Sequence, residues 1–312
     1  MTIALIFGGE GYEHEVSVLG FQHLFPILEK KYQVLPIFID TCGEFWLKNK
    51  RVFPTYKGFC SEDGCNFSVD CAFPLLHGDM GEDGVVQSAL TLAKIPYIGC
   101  LGPVGALCRD KFIVKAVAKS LCLPTLPCVL IHRGRQMPEI TLPCFIKPSG
   151  LGSSIGAGAA RNEGELQFAL ENAFRYTDRV IAEPYLENKR ELECGYFSTK
   201  GKELFTNAGE ILSNGSFYDY ESKYGGGTRT ATVAHISPEI NDKIKEYSAR
   251  LVSALGVRHL SRIDFFLSGE DIYFNEINTM PGFTAESLYP RMLLTSGIDI
   301  PEMLDLLIGD AL

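Results

Sequence analysis

The sequence has little of what several broad protein classes require. It has no excess of positive charge: 29 lysines and arginines stand against 38 acidic residues, a formal net charge of −9. Nucleic acids and anionic membranes are bound through clustered positive charge, so we expect neither as a partner. No apolar run approaches the ~20 residues of a membrane-spanning helix. The apolar stretch after Met1 is too short, and lacks the leading positive charge, for a secretory signal. We therefore expect a cytoplasmic protein.

The ten cysteines lack the spacing of metal sites and of disulfide frameworks. None of them forms a Cys-x-x-Cys pair, and they are spread from Cys42 to Cys194. Disulfides are not expected in a chain without an export signal. We expect most of these cysteines to be small buried hydrophobic side chains.

What the sequence does contain is typical of a globular protein with two or three domains. The hydrophobic share is 46% and the charged share 21% over 312 residues, which is too long for one small core. The first hundred residues alternate apolar runs with amphipathic stretches. This alternation predicts a parallel sheet of βαβ units. The predicted strands are 3–7, 34–39 and 71–75, with a further one beginning at 96–98, and the predicted helices are 22–31 and 85–94.

Capping signals and strand patterns organise the rest of the chain. Asp110 can cap a helix over 111–121, and Asn162 with Glu165 marks the start of another. Ser237-Pro238 opens a long helix that ends at Gly256. The strands predicted beside them are 129–132, 144–147 and 180–183. We divide the chain into segments 1–103, 104–184 and 185–312.

The segment 261–282 predicts a β-hairpin that carries charge on one face. If the hairpin centres near Glu270, Asp264 lies opposite Glu276 and Arg262 opposite Asn278. Like charges placed opposite each other repel, and a cation between them removes the repulsion. Two carboxylates and an amide oxygen suit Mg²⁺ when substrate phosphates supply the other ligands. A solvated hairpin face is the alternative, but the interleaved apolar residues indicate covered strands and favour the metal.

A glycine-rich loop at 148–156 follows the strand that ends in Lys147. Its backbone N–H groups can converge on an anion, although it is not a P-loop because no Gly-Lys-Ser/Thr closes it. An ordinary turn is the alternative; Lys111 and Lys223 favour a phosphate site. The edge at 183–186 could bind an adenine and Glu191 could bind ribose, but spacing alone favours ordinary exposed glutamates at both positions.

Two polar loops and one candidate lid complete the sequence motifs. The turn at 8–17 lacks the third glycine of a dinucleotide site and is crowded with glutamates, so we interpret Glu15 as an amine anchor; capping of the helix dipole is the alternative. His77 follows a buried strand, where open α/β sheets bind ligands, and a purely structural histidine is the alternative. The aromatic and glycine-rich stretch 217–228 is typical of a closing lid.

In family order and over nearly the whole chain, these segments resemble the D-alanine–D-alanine ligases of the ATP-grasp superfamily. The matching residues are Gly8-Gly9 with Glu13-His14-Glu15-Val16-Ser17, Leu76-His77-Gly78, Gly81-Glu82-Asp83-Gly84, Asp110-Lys111, Lys147-Pro148-Ser149, Gly152-Ser153-Ser154, Tyr218-Asp219-Tyr220-Glu221 with Lys223-Tyr224, Arg262-Ile263-Asp264, and Asn275 to Thr284.

The resemblance implies an α/β, three-domain ATP-grasp fold with an N-terminal, Rossmann-like parallel sheet, in which ATP is gripped between the second and third domains. ATP would phosphorylate the first D-alanine, and the amine of the second would attack the acyl phosphate. Homodimers and two Mg²⁺ (or Mn²⁺) ions per site are implied as well. The implied roles are phosphate contacts from Lys111, Lys147, Ser154 and Lys223; adenosine contacts from Glu183, Tyr185, Leu186 and Glu191; metal ligands Asp264, Glu276 and Asn278; an amine anchor at Glu15 linked to Ser153 and Tyr224, with His77 nearby; an oxyanion site at Arg262 and the Gly282 amide; and a second-carboxylate site at Ser287 and Leu288.

Some positions depart from the family pattern. Gly150-Leu151 replaces a common arginine–glutamate pair, and Glu286 replaces a frequent histidine near the second substrate. Tyr224 favours an amine over a hydroxy acid. D-Serine therefore remains a rival second substrate. A catalytically silent nucleotide- or amino-acid-binding protein is the alternative of a different class, although every metal ligand and phosphate lysine is retained. A biotin-carboxylase-like enzyme is disfavoured by the Glu15 region and the lid.

Overall fold

The computed structural model describes residues 1–212 and 229–312, which form three β-sheets with flanking helices. The strands are β1 (Thr2–Gly8), β2 (Gln33–Ile39), β3 (Phe45–Leu47), β4 (Lys50–Thr55), β5 (Gly58–Ser61), β6 (Asn66–Ser68), β7 (Cys71–Pro74), β8 (Val129–His132), β9 (Cys144–Pro148), β10 (Gly158–Ala160), β11 (Arg179–Pro184), β12 (Arg190–Thr199), β13 (Lys202–Phe205), β14 (Gly209–Leu212), β15 (Arg229–Ala231), β16 (Leu260–Ser268) and β17 (Asp271–Asn278). The helices are α1 (His14–Leu28), α2 (Val85–Leu92), α3 (Gly102–Arg109), α4 (Lys111–Ser120), α5 (Glu163–Ala173), α6 (Pro238–Leu255), α7 (Leu288–Thr295) and α8 (Ile300–Ala311).

The N-terminal sheet has the strand order β6-β5-β4-β3-β2-β1-β7 and is parallel only at one end. β1 pairs in parallel with β2 and β7, and its core side chains are fully buried, as strands covered on both faces are. This part confirms the predicted parallel sheet. β3 to β6 extend it as an antiparallel meander that the sequence did not predict. In two of its tight turns the residues at positive φ are Lys48 and Lys57, and the Asn49 and Gly58 that typically mark such turns come one residue later.

The first helix begins much earlier than predicted. α1 starts at His14 rather than at residue 22, and it contains Pro26 in its interior. Its buried face includes the small residues Ser17 and Gly20, which interrupt the apolar repeat and conceal the first two turns. The helix predicted at 85–94 is present as α2, while residues 96–98 form only an isolated bridge from Tyr97 to Ala72.

Helices with local capping signals form as predicted. The Asn162 side chain accepts from the Glu165 amide at the start of α5, and Asp110 accepts from two amides at the start of α4. Ser237 caps α6, which ends at Gly256 in the left-handed conformation. These ends form reliably because the signal and its partner lie within four residues of each other.

The central and C-terminal sheets meet along the hairpin formed by β16 and β17. The central sheet has the order β10-β9-β11-β8, and the other has the order β15-β14-β12-β16-β17 with β13 paired to β12. α4 and most of α3 fall within the predicted segment 104–184, but the two helices share a core with β12, β16 and β17. An isolated β-bridge between Thr125 and Phe274 connects the segment after α4 to β17. The segment boundaries stay a prediction.

The sequence composition led to predictions about cysteine burial and about membrane-spanning helices. All ten cysteines are unpaired, but only five are buried, and Cys42, Cys65 and Cys122 are exposed. The expectation that most cysteines are buried was therefore wrong for half of them. No helix in residues 1–212 and 229–312 combines the length and apolarity needed to cross a membrane.

Candidate active site

The hairpin of β16 and β17 has the register predicted from the sequence. Asp264 pairs with Glu276, and Arg262 pairs with Asn278. A register shift follows Asp264, because Phe265 already pairs with Phe274 and Asn275 is left as the extra residue. β-Bulges of this kind bend a strand and redirect side chains near active sites. Because of this extra residue, one hairpin contains both the tight turn and the pairing of Asp264 with Glu276.

Each hairpin carboxylate faces a cation. Arg262 donates from Nε and Nη2 to the two oxygens of Asp264, at 2.8 and 2.7 Å, and its Nε lies 3.2 Å from Glu193. Glu276 lies 3.1 Å from Nζ of Lys111 at the start of α4. Burial alone would lower the pKa of Arg262, but Asp264 and Glu193 together raise it well above its ordinary value. The guanidinium is therefore a permanent, fixed positive charge.

The three predicted metal ligands lie together on this hairpin. The Asn278 amide donates to Asp264 Oδ2 at 3.1 Å, and Glu276 is directly opposite Asp264. Within residues 1–212 and 229–312, no cluster of three or more His, Cys, Asp or Glu could hold a metal ion. A site with two carboxylates and one amide suits a hard cation only if phosphate oxygens or water complete its ligands. The residues present fit Mg²⁺ or Mn²⁺ bound together with a nucleotide.

A buried lysine–glutamate–lysine cluster, which sequence reasoning missed, supports Lys147. Glu183 lies 2.8 Å from Lys147 Nζ and 2.6 Å from Lys115 Nζ, and Lys115 is fully buried. Lys147 also donates to Asn275 at 2.9 Å. Burial raises the pKa of Glu183, but the two lysines outweigh it and lower that pKa overall; burial lowers the pKa of Lys115.

This cluster changes the interpretation of Glu183. Its carboxylate holds two lysines and is buried, so the interpretation of Glu183 as an ordinary exposed glutamate was wrong, while its adenosine contact stays a prediction. One signal could have revealed the cluster: Lys115 follows Lys111 by one helical turn and lies on the buried face of α4 beside Val114 and Ala118.

Beside Lys147 lies a cleft with apolar walls. It is about 280 Å³ in volume and includes the predicted adenosine residues Tyr185 and Leu186. Lys189 lies 3.8 Å from the ring centre of Phe266 and forms an ion pair with Glu191, another predicted adenosine residue, at 3.0 Å. Apolar faces with a few polar groups at the rim are typical of nucleobase sites. The lining residues are Leu126, Phe145, Lys147, Glu183, Pro184, Tyr185, Leu186, Lys189 and Phe266.

The structure places Glu13, not Glu15, at the glycine-rich loop. The Ser153 hydroxyl donates to Glu13 Oε1 at 2.5 Å. A Cβ atom at Gly78 would come within 2.6 Å of the Glu13 carboxylate, and one at Gly152 within 3.2 Å. Glycine at these two positions therefore lets both loops approach the carboxylate. Glu15 lies in α1 with its side chain exposed, since the helix starts at His14. The expected link between Glu15 and Ser153 was wrong, and Glu13 makes it.

The loop after β7 is attached to the end of the hairpin strand. His77 donates from Nδ1 to the Met280 carbonyl at 2.9 Å, while its buried Nε2 has no partner among the described residues. Burial lowers the pKa of His77. Glu82, which sequence reasoning did not single out, accepts from the amides of Gly78 at 3.1 Å and Met280 at 3.3 Å. Burial, and then the charge of Glu13, raises the pKa of Glu82 to about 7.

The remaining predicted residues lie near this end of the hairpin or outside the described residues. Ser287 precedes α7, and its Oγ accepts from the Thr284 amide at 3.0 Å. A Cβ at Gly282 would lie 2.9 Å from that oxygen, so the two positions are adjacent. Leu288 is buried. Ser154 follows Ser153 in the glycine-rich loop, both at positive φ, while Lys223, Tyr224 and the predicted lid lie outside the described residues.

One cleft connects several of these groups and is separate from the cleft at Tyr185 and Leu186. Its walls include Gly78 and Gly152 beside Glu13, Arg109 and Lys111 from the helices, and Glu276 with Asn278 from the hairpin. It offers a carboxylate at one end and a group of cations and carboxylates at the other. That arrangement can bind an ammonium group and a polyphosphate next to each other.

Comparison with known proteins agrees with this geometry. The N-terminal family model for D-ala D-ala ligases matches residues 2–100, and the C-terminal one matches residues 132–309. A D-alanine–D-alanine ligase of Solibacter usitatus is 38% identical, with 100% of this chain and 95% of that protein covered.

Solved structures of such ligases also match over the whole chain. The VanG D-Ala:D-Ser ligase from Enterococcus faecalis has a TM-score of 0.90 at 32% identity, with 100% of this chain and 99% of that chain covered. The D-alanine–D-alanine ligase from Coxiella burnetii has a TM-score of 0.88 at 28% identity, with 100% and 95% covered. These matches confirm the expected three-domain ATP-grasp fold, and the chain belongs to the D-alanine–D-alanine ligase family.

Proposed function

We propose that this chain is an ATP-dependent ligase that joins two D-alanines through an acyl phosphate, for peptidoglycan synthesis. The observation that carries the proposal is the single cleft that holds Lys111 against Glu276 and also reaches Gly152, beside the Ser153–Glu13 contact. Phosphoryl transfer to a carboxylate needs the phosphate-binding and amine-binding groups side by side, because the reacting atoms must be close and aligned. Family membership over the whole chain supports the same reaction.

The nucleotide would lie between the central and C-terminal sheets. The cleft at Tyr185 and Leu186 suits the adenine, and Glu191 at its rim suits the ribose hydroxyls. Lys147, fixed by Glu183, would contact the phosphates. The further phosphate contacts that we propose are Lys111, Ser154 and Lys223.

Asp264, Glu276 and Asn278 would hold two Mg²⁺ or Mn²⁺ ions. When bound, such ions neutralise the charge of the phosphates during transfer. Arg262 pairs with Asp264 and Lys111 pairs with Glu276, and these pairs support a site in which the carboxylate charges are balanced by cations. Lys111, Lys147 and Arg262 would then hold the triphosphate next to the carboxylate that is phosphorylated.

The chain's own residues would orient both amino acids. Glu13, linked to Ser153 and Tyr224, would anchor the ammonium of the first D-alanine. A carboxylate oxygen of that D-alanine attacks the γ-phosphorus, and ADP leaves. The neutral amine of the second D-alanine attacks the acyl carbon. Arg262 and the Gly282 amide donate to the developing oxyanion, and phosphate then leaves as the peptide bond forms and the amine nitrogen loses one proton to the departing phosphate. Ser287 and Leu288 would receive the second carboxylate.

Neutralising Glu13 should weaken binding of the first D-alanine. In Glu13→Gln we expect KM for the first D-alanine to rise roughly 10- to 100-fold, because a charge-assisted contact to the ammonium is lost. Glu15→Gln is the matched control, since Glu15 is exposed on the same helix turn, and its KM should stay within about twofold. Steady-state kinetics at saturating ATP measure both. Equal effects in the two variants, or a larger effect at Glu15, would contradict the assignment.

A D-alanine–D-serine ligase is the second candidate, because the VanG D-Ala:D-Ser ligase from Enterococcus faecalis matches at a TM-score of 0.90. We test both by incubating the protein with ATP, Mg²⁺ and D-alanine, with and without D-serine or D-lactate, and identifying the products by mass. D-Alanyl-D-alanine as the main product supports the proposal. D-Alanyl-D-serine as the main product would change only the identity of the second substrate and leave the ligase reaction in place. No ADP and no dipeptide would exclude a ligase and favour a silent binding protein.

We also propose that the protein acts in the cytoplasm as a homodimer, without nucleic-acid or membrane partners. The net charge of −9 supports the absence of polyanionic partners. Light scattering of the purified protein measures the oligomeric state, and a monomer at micromolar concentration would contradict the homodimer.

A further inference from the structure

Arg109 lies where three loops of the cleft meet. At the end of α3, its Nε donates to the Gly150 carbonyl at 2.6 Å, and its Nη2 pairs with Asp79 at 2.5 Å. The side chain is 13% exposed, against 41% for Asp79, so the guanidinium is the enclosed partner. One planar group thus holds the glycine-rich loop and the loop after β7 together, which a flexible ammonium cannot do with the same geometry.

The third loop packs against the same pair. A Cβ at Gly11, in the turn before α1, would lie 3.3 to 3.4 Å from the backbone nitrogen, Cβ and Oδ2 of Asp79. Asp79 is therefore held between Gly11 and Arg109. Through these contacts Arg109 connects the loop that carries Ser153 with the turn that carries Glu13, whose side chains meet at 2.5 Å.

Arg109 also has a donor that the described residues do not use. Its Nη1 is buried without a hydrogen-bond partner in that part of the chain. A buried, unpaired donor costs stability, and such groups in native proteins call for an explanation other than stability. Arg109 lines the same cleft as Lys111 and Glu276, and its charge acts to lower the pKa of Glu82 against the effect of burial.

The glycine-rich loop has no arginine of its own. Gly150 and Leu151 supply no charged side chain at this point of the loop. The carbonyl of Gly150 is the atom that Arg109 holds. An arginine–acid pair is therefore present at this loop, but both members come from other elements, α3 and the loop after β7.

We propose that Arg109 is a positioning residue that latches the glycine-rich loop, through Gly150 and Asp79, in the conformation that binds the ATP phosphates. This role rests on the proposed function. Arg109 itself contacts no reacting atom. Loss of the latch removes the contact at the Gly150 carbonyl, so the loop is held at fewer points, while Lys111 still donates to the Leu151 carbonyl at 2.6 Å and Ser153 still donates to Glu13. The expected consequence is weaker nucleotide binding with the fold retained, because the loop must be ordered at each binding event.

The test compares Arg109→Met with Arg133→Met, which removes an exposed ion pair to Asp178. Calorimetry measures Kd for ATP with Mg²⁺ and without D-alanine, and kinetics measure KM and kcat. For Arg109→Met we expect Kd and KM for ATP to rise about tenfold, as for loss of one charge-assisted hydrogen bond. The change in kcat should be small, and the control should stay within about twofold. Arg109→Lys keeps the positive charge but not the planar guanidinium that bonds to two groups. Its affinity for ATP should therefore lie between those of the wild type and Arg109→Met.

A double-mutant cycle with Asp79→Asn makes the test specific. If Arg109 acts through Asp79, the two changes should be non-additive, because the second removes a contact already lost. Unchanged ATP affinity in a folded Arg109→Met or Arg109→Lys variant overturns the latch, as does full additivity. The two proposals fail separately: a wild-type protein that binds ATP with this dependence on Arg109 but makes no dipeptide overturns only the ligase function.

Discussion

Glu276→Gln is expected to reduce turnover by about 10³-fold or more while the protein stays folded. The substitution keeps the shape of the side chain but removes the charge that pairs with Asp264 across the hairpin and with Lys111 at 3.1 Å. A site with two carboxylates and one amide loses half its negative charge, and metal-assisted stabilisation of phosphoryl transfer amounts to several kcal/mol.

ADP release in a coupled assay measures this loss, and thermal unfolding measures the fold. Glu270→Gln is the matched control, since Glu270 is exposed in the turn of the same hairpin, and it should retain nearly full activity. Near-normal turnover in Glu276→Gln would remove Glu276 from the metal site. A large fall in melting temperature would assign the residue a structural role instead.

Arg262→Lys is expected to lower kcat by ~10²–10³-fold, the usual effect of losing one oxyanion donor. The guanidinium is fixed by two bonds to Asp264 and by Glu193. A lysine retains a positive charge but cannot satisfy both oxygens of Asp264 in one plane. KM for ATP should change much less than kcat, because the adenosine cleft lies elsewhere on the sheets.

Arg190→Lys provides the control for Arg262→Lys. Arg190 makes the same two-bond contact, with Glu210 at 2.7 Å, on the neighbouring strand β12. Its replacement should leave kcat within a few-fold, since its guanidinium bonds to Glu210 and the His235 carbonyl and not to the proposed oxyanion or metal residues. A kcat for Arg262→Lys that resembles the control would contradict the oxyanion role.

Features whose signal is local in sequence could be predicted. The capped starts of α4, α5 and α6 depend on a side chain and an amide within a few residues. The pairing of Asp264 with Glu276 follows from a short turn and alternating faces. The bulge at Asn275 could not be foreseen, because it depends on what packs on either side of the hairpin.

Features that depend on contacts distant in sequence were missed. Lys115 and Glu183 are 68 positions apart, and only the tertiary fold, in which α4 packs against β17, brings them together at 2.6 Å. Glu13 and Glu15 are two residues apart, so their assignment depended on where α1 begins. The small buried residues Ser17 and Gly20 conceal that start. The latch at Arg109 combines three separate loops and has no sequence signature.

One isotope experiment tests the acyl-phosphate reaction in this cleft most directly. The protein is incubated with ATP, Mg²⁺ and D-alanine labelled with ¹⁸O at both carboxylate oxygens, and the products are analysed by mass. If a carboxylate oxygen attacks the γ-phosphorus and the amine then displaces phosphate from carbon, each dipeptide formed releases one phosphate that contains one ¹⁸O. Dipeptide accompanied by unlabelled phosphate would contradict this reaction.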